Sequence, residues 1–302
     1  MFKIVKDNIN IDFMSKRNFF YLTSGLFCLI SLLLIIFKGF NYGIDFAGGT
    51  VVQTKFNKVI NLDDIRGSLS DANIGGAIIQ NYGSGSEVLI RIVKSEIDLK
   101  KLSDNIEEAL QKKFGKDNFV IERVEQVGPQ VGAQLRAKAF YSIIYALIGI
   151  LIYVAFRFEW VYSAASVIAV FHDVLVTCGV LCLFGKEMDL TILAALLTIL
   201  GYSLNDTIVI FDRVREVLKN TAGKQKLYDI INRALNETLS RTILTSSTVF
   251  MAVLALYLFG GSVINGFAFA LLIGSIIGVY STVGVACAMV YSYKTFKSSG
   301  KA

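Results

Sequence analysis

The sequence predicts a polytopic α-helical membrane protein with six transmembrane helices, carrying one exported α+β domain of the ferredoxin-like βαββαβ type between the first two. Composition is the first reason. Of the 302 residues 54% are hydrophobic, with a single proline, and a mean hydropathy of +0.58 is too high for an ordinary soluble protein. The second reason is a set of six apolar segments, at 19–37, 139–156, 161–184, 190–211, 243–259 and 267–290. Each is near the ~17 to 25 residues that a spanning helix needs. The third is an abrupt change over residues 38–138, where charge and period-2 patterning return.

The N-terminal tail, residues 1–18, carries Lys3, Lys6, Lys16 and Arg17 ahead of the first segment. That segment is longer than the apolar region of a signal peptide and no A-x-A-like cleavage site follows it, so it is expected to be an uncleaved anchor. Residues 38–138 then read as a domain. Val51, Gln53 and Lys55 alternate with Val52, Thr54 and Phe56 as a strand. Residues 62–73 read as a helix with Asn61 as N-cap and Asp63 and Asp64 in its first turn. Strands at 77–82 and 88–93 flank Gly83-Ser84-Gly85-Ser86, a hairpin signal. A second helix at 99–114 places Leu99, Leu102, Ile106 and Leu110 on one face, and residues 119–127 close the set as a strand. Gly48-Gly49 on entry and Gly128-Pro129 on exit are the boundaries, either as simple turns or as hinges. The domain has no Ser/His/Asp set, metal cluster or phosphate loop, which makes it a binding or lever module.

Residues 139–302 hold the second to sixth spans, with a cytoplasmic loop at 212–241 and a C-terminal tail. Fifteen Lys and Arg residues flank the spans on one side, seven of them in the 212–241 segment, against Lys186 alone in the two short turns opposite. Positively charged flanks stay inside, so both termini are expected in the cytoplasm and residues 38–138 outside. The net charge of +6 is thereby accounted for by the inside rule and anionic lipid, without nucleic acid. Cys28, Cys178, Cys182 and Cys287 all lie in apolar segments, which argues against an exported disulfide framework. Cys178 and Cys182 share a helix face, but no partners at ligand spacing accompany them, and no metal is expected.

Polar residues inside the spans are the candidates for function. Asn205 and Asp206 sit two-thirds of the way along the fourth segment, where a carboxylate costs at least roughly 2.5 kcal/mol and is kept for pairing or proton transfer. The fifth helix opens with Arg241 and a hydroxyl-rich stretch, Thr242, Thr245, Ser246, Ser247 and Thr248. Asp206 lies about six residues, ~9 Å, from the inner boundary, and Arg241 could snorkel upward to pair with it. His172, the single histidine, and Asp173 lie halfway along the third segment, as an interior brace or a relay. Asp212, Arg213 and Arg215 read as a solvated basic face. Gly266, Ala270, Gly274 and Gly278, with Thr282 and Ala286, form a small-residue stripe for close helix packing on the sixth.

The run GYSLNDTIVIFDRVRE, followed by NETLSRTILTSSTVF and preceded by FNYGIDFAGGT and FHDV, resembles the SecD/SecF family of the bacterial Sec protein-export machinery. Within that family, part of the resistance-nodulation-division superfamily, it is similar to the smaller of two paired subunits. The resemblance implies an auxiliary, non-enzymatic subunit of the cytoplasmic membrane that partners SecD in a pseudo-symmetric twelve-helix unit. It implies use of the proton motive force to promote late steps of preprotein translocation, after the SecA ATPase has driven the unfolded chain into SecYEG. On the same basis Asp206 and Arg241 match membrane charges implicated in proton conduction; the coupling ion would be H+ and no cofactor is implied. The other classes are a half-unit of an efflux transporter for small amphiphiles, and a passive scaffold.

Overall fold

The computed structural model describes residues 10–74, 76–82, 86–92, 99–221, 225–261 and 263–299. The chain divides into two units, one of Met1–Asn41, Tyr141–Lys186 and Thr191–Ala302, the other of Tyr42–Phe140 and Glu187–Leu190. Among the described residues six helical stretches are long and apolar enough to cross a membrane, as the hydropathy predicts.

After α1 (Arg17–Phe37) come β1 (Asn41–Tyr42), α2 (Ile44–Ala47), β2 (Gly49–Phe56), α3 (Leu62–Asp71), β3 (Ile78–Tyr82), β4 (Glu87–Ile92), α4 (Leu99–Phe114) and β5 (Phe119–Val127). Asn61 caps α3: its side-chain oxygen accepts the Asp63 N–H at 3.0 Å. Asn73, with φ of 58°, supplies the left-handed residue that ends the helix. Strands β2 to β5 form one antiparallel sheet in the order β3-β4-β2-β5, the ferredoxin-like arrangement. Val52, Val88 and Ile90 from the sheet pack with Ile65, Leu69, Leu102, Ile106 and Leu110 from α3 and α4. Residues 83–85 of the expected hairpin and Val93 lie outside the described residues.

The remaining elements are α5 (Pro129–Arg157), α6 (Trp160–Leu183), β6 (Glu187–Met188), α7 (Leu190–Asn220), α8 (Leu227–Phe259), α9 (Asn265–Ser281), a π-helical turn at Thr282–Cys287 and α10 (Ala288–Ser299). Here the observed bounds depart from the hydropathy. Helix α5 starts at Pro129 rather than Ala139, because proline suits the first helical position and Arg136 and Lys138 only mask a helix already under way. The 212–241 segment is no open loop: α7 runs on to Asn220 and α8 begins at Leu227. Val214 and Val217 on α7, and Ile230, Ile231, Ala234 and Leu235 on α8, are buried, so apolar packing continues past the charged positions.

Close backbone approaches explain several glycines. The stripe on α9 packs on α7: Cβ atoms added at Gly266, Gly274 and Gly278 would meet Ile192, Ile199 and Ser203, and Ala270 is fully buried. At Gly179 on α6 a Cβ would lie 2.3 Å from Ser31 Cβ and 2.6 Å from its Cα, so α1 crosses α6 where no side chain fits. Gly179→Ala is expected to push α1 off α6 and to cost about 1–3 kcal/mol, visible as a lower Tm of the detergent-solubilised protein. Gly48 has φ of 74° and Gly49 of 124°, and a Cβ at Gly48 would lie 2.8 Å from Pro129 Cα. A Cβ at Gly132 would likewise lie 2.9 Å from the Gly48 nitrogen. The two boundaries expected as turns or hinges thus meet backbone to backbone, while Gly128 itself has open space around it.

The turn before α7 belongs to the ferredoxin-like unit. Strands β1 and β6 pair as a two-stranded sheet, too short for any periodicity to reveal, and Arg91 on β4 forms an ion pair with Glu187. Burial raises the Glu187 carboxyl above its ordinary 4.5 even though the Arg91 guanidinium pulls the other way. A carboxyl whose folded value exceeds the unfolded one favours folding while protonated, and that contribution is lost as pH rises through the folded value. The Tm of the native protein relative to Glu187→Gln is therefore expected to fall as pH is raised above 4.5.

Candidate functional site

Asp206 sits on α7 with 5% of its surface exposed. Its Oδ2 accepts a hydrogen bond from Ser246 Oγ on α8 at 3.1 Å. Of the hydroxyl-rich stretch, Ser246 is the one that reaches across: Thr245 and Thr248 bond back to carbonyls of their own helix. Among the described residues, the buried Thr242 hydroxyl and that of Tyr202, one turn before Asp206, have no hydrogen-bond partner. A carboxylate here is poorly compensated, having one neutral donor.

The expected Asp206–Arg241 ion pair is not formed. Arg241 is exposed, and among the described residues it makes no ion pair within 4.0 Å. Helix geometry gives the reason: Thr238, Thr242 and Ser246 recur every four residues on the inward side of α8, and Arg241 stands about 100° away from Thr242. Asn205 is separated from Asp206 in the same way and is exposed. The two are neighbours in the chain, and α7 turns them to different surroundings.

A second polar cluster is better organised than the first. Asp173 on α6 is fully buried. Its Oδ1 lies 3.0 Å from His172 Nδ1, and its Oδ2 accepts from Ser203 Oγ on α7 at 2.5 Å and from Ser281 Oγ on α9 at 2.8 Å. Thr207 on α7 and Thr282 in the π turn add a hydroxyl contact of 3.0 Å. The cluster ties three helices together one turn of α7 away from Asp206. His172 keeps its Nε2 buried and unpartnered. Sequence reasoning missed Ser203, Thr207 and Ser281; the available signal was that they stand in spans at helical spacing from Asp206 and from the α9 stripe.

The charges at the far end of α7 are also used. Arg213 donates to Glu237 on α8 at 2.5 Å and to Glu216 at 2.5 Å, Arg233 holds the other Glu237 oxygen at 2.8 Å, and Asp212 is 3.4 Å from Arg157. The face is solvated, as expected, and its charges are paired both along one helix, Arg213–Glu216 and Arg233–Glu237, and between helices, Arg213–Glu237 and Arg157–Asp212. Among the described residues no group of three His, Cys, Asp or Glu side chains could hold a metal ion.

The model of the family described as protein export membrane protein SecD/SecF, C-terminal, matches residues 106–296, and that of the SecD/SecF GG motif matches residues 33–58. The protein translocase subunit SecF of Calditerrivibrio nitroreducens is 49% identical over 297 residues, covering 98% of each chain. The chain belongs to the SecF family. SecF of Escherichia coli O157:H7 is 40% identical over 280 residues, with 92% of this chain and 86% of that one covered. The crystal structure of SecDF, a translocon-associated membrane protein from Thermus thermophilus, superposes with a TM-score of 0.86 at 34% identity. That comparison covers 95% of this chain but 39% of the longer SecDF chain. The SecF-family match takes in Asp45, Gly48 and Gly49 through the GG motif, and His172, Asp173, Asp206 and Arg241 through the C-terminal region.

Proposed function

We propose that this SecF-family chain pairs with SecD in the bacterial cytoplasmic membrane, both termini inside, and couples proton entry to late steps of preprotein export. The observation that carries this is the Asp206 carboxyl, buried within a spanning helix and met by one serine hydroxyl instead of a cation. Protonated, it is neutral and can itself donate; ionised, it can draw on Arg241, a long and exposed side chain on α8. A change of pairing between α7 and α8 is the motion such a group can drive.

The magnitudes set how many charges are needed. One charge crossing ~100 mV releases about 2.3 kcal/mol, while turning a conformational equilibrium from 1:99 to 99:1 takes about 5.5 kcal/mol. Two to three protons per cycle at roughly that potential are therefore required. Export would then proceed through SecYEG, with SecA as the upstream ATPase, and the energy would come from the H+ gradient with no cofactor. Proton flux into vesicles holding the reconstituted complex, with native protein and with Asp206→Asn, tests the reading. Flux that disappears in the variant supports it, and equal flux in both defeats it.

A further inference from the structure

The start of α7 is gripped at three points by residues of the ferredoxin-like unit. The Gly43 N–H donates to the Met188 carbonyl at 2.8 Å. Asp45 Oδ2, from the GG-motif segment, accepts the Leu190 N–H at 3.0 Å, which satisfies one of the free donors of the α7 N-terminus with a negative charge, the sign that end favours. Arg91, 6% exposed on the interior strand β4, is ion-paired with Glu187 and also donates to the Tyr42 carbonyl at 3.2 Å. The fit is close: a Cβ at Gly43 would stand 3.2 Å from Asp189 Cβ.

Helix α7 runs without a break from Leu190 to Asn220. Asp206 lies sixteen residues along it, ~24 Å from the gripped end at 1.5 Å per residue. An unbroken helix transmits an axial shift or a rotation over that distance. We infer that Asp45 and Arg91 are positioning residues that fasten the start of α7 to the ferredoxin-like domain, so that this joint passes movement of the Asp206 helix to the domain. The inference rests on the proton-coupling reading of Asp206 and names the mechanical path that reading needs.

The test uses the full chain reconstituted with its SecD partner and the channel in vesicles, with proton flux and potential-dependent export measured separately. Asp45→Ala combined with Glu187→Ala is expected to keep proton flux and lose potential-dependent export. Adding Gly43→Cys and Asp189→Cys, whose Cβ atoms are near enough for a disulfide, is expected to restore export after oxidation with diamide and to lose it again on reduction; each single Cys variant controls for the native thiols. Restoration also shows that the weakened joint leaves a folded protein. Native export from the double variant overturns the inference, and so does joint loss of flux and export that the disulfide does not reverse. Asp206→Asn run alongside separates the two ideas: flux that persists there counts against proton coupling, while the reversible cross-link still decides the joint.

Discussion

Asp206→Asn abolishes the stimulation of export by a membrane potential and leaves the protein assembled in the membrane. Asparagine has nearly the size of aspartate and its amide oxygen can still accept from Ser246 Oγ, so the one hydrogen bond to Asp206 survives. What is lost is the ability to change charge. A neutral side chain in this buried position also removes the cost of an ionised state, so the variant is expected to be no less stable than the native protein. Preprotein translocation into vesicles, measured with and without an imposed potential, is the readout, and capture of SecD with the variant checks assembly. Full potential-dependent export by the variant would defeat the proposal. Because Arg241 is not locked to Asp206, Arg241→Lys, which keeps the charge, is expected to do less harm than Asp206→Asn.

The second large effect is on stability. Asp173→Leu removes the acceptor shared by Ser203 and Ser281 and the partner of His172 Nδ1, leaving Ser281 Oγ with the Gly278 carbonyl alone and taking from Ser203 Oγ and His172 Nδ1 the partner each has across the cluster. Losing one partner of such a buried charged arrangement costs about 3–5 kcal/mol, a large share of the ~5–15 kcal/mol that holds a typical protein together. The variant should accumulate poorly in the membrane and unfold at a lower temperature in detergent. Ser203→Ala and Ser281→Ala each remove one donor and are expected to cost about 1.5–3 kcal/mol, as hydrogen bonds to a charged group do. Asp173→Asn keeps an acceptor oxygen and should fold. If that folded variant conducts protons normally, the cluster is a brace between α6, α7 and α9; if it conducts none, the His172–Asp173 pair lies on the proton route.

Much of this was legible in the residues. Spans announce themselves because lipid demands continuous apolar surface, and the ferredoxin-like domain because Val52, Thr54 and Phe56 alternate with Val51, Gln53 and Lys55 along a strand, beside helices whose apolar faces repeat at helical spacing. Asn61 could be read as a cap since its role depends on the next two residues alone. What stayed hidden depends on rotation about a helix axis or on partners far along the chain. Membrane depth alone sets Arg241 near Asp206, and one residue of offset from Thr242, about 100°, turns it to another face of α8. Ser203 and Ser281 became visible as Asp173 ligands only after three helices had been brought together. The extensions of α5 and α8 escaped because hydropathy falls where a helix leaves the bilayer, while the helix itself continues.

The π turn at Thr282–Cys287 amounts to an α-helix with one surplus residue. That surplus is slack stored inside a membrane span. Upstream of it α9 presents the small residues that receive α7, and downstream α10 brings Lys294 to 3.0 Å from Glu159. One residue more per turn rotates everything beyond it by about 100° relative to a regular α-helix. The last span therefore presents its second half at an orientation that an unbroken α-helix would not give, with the change of phase sited beside the Ser281 and Thr282 hydroxyls.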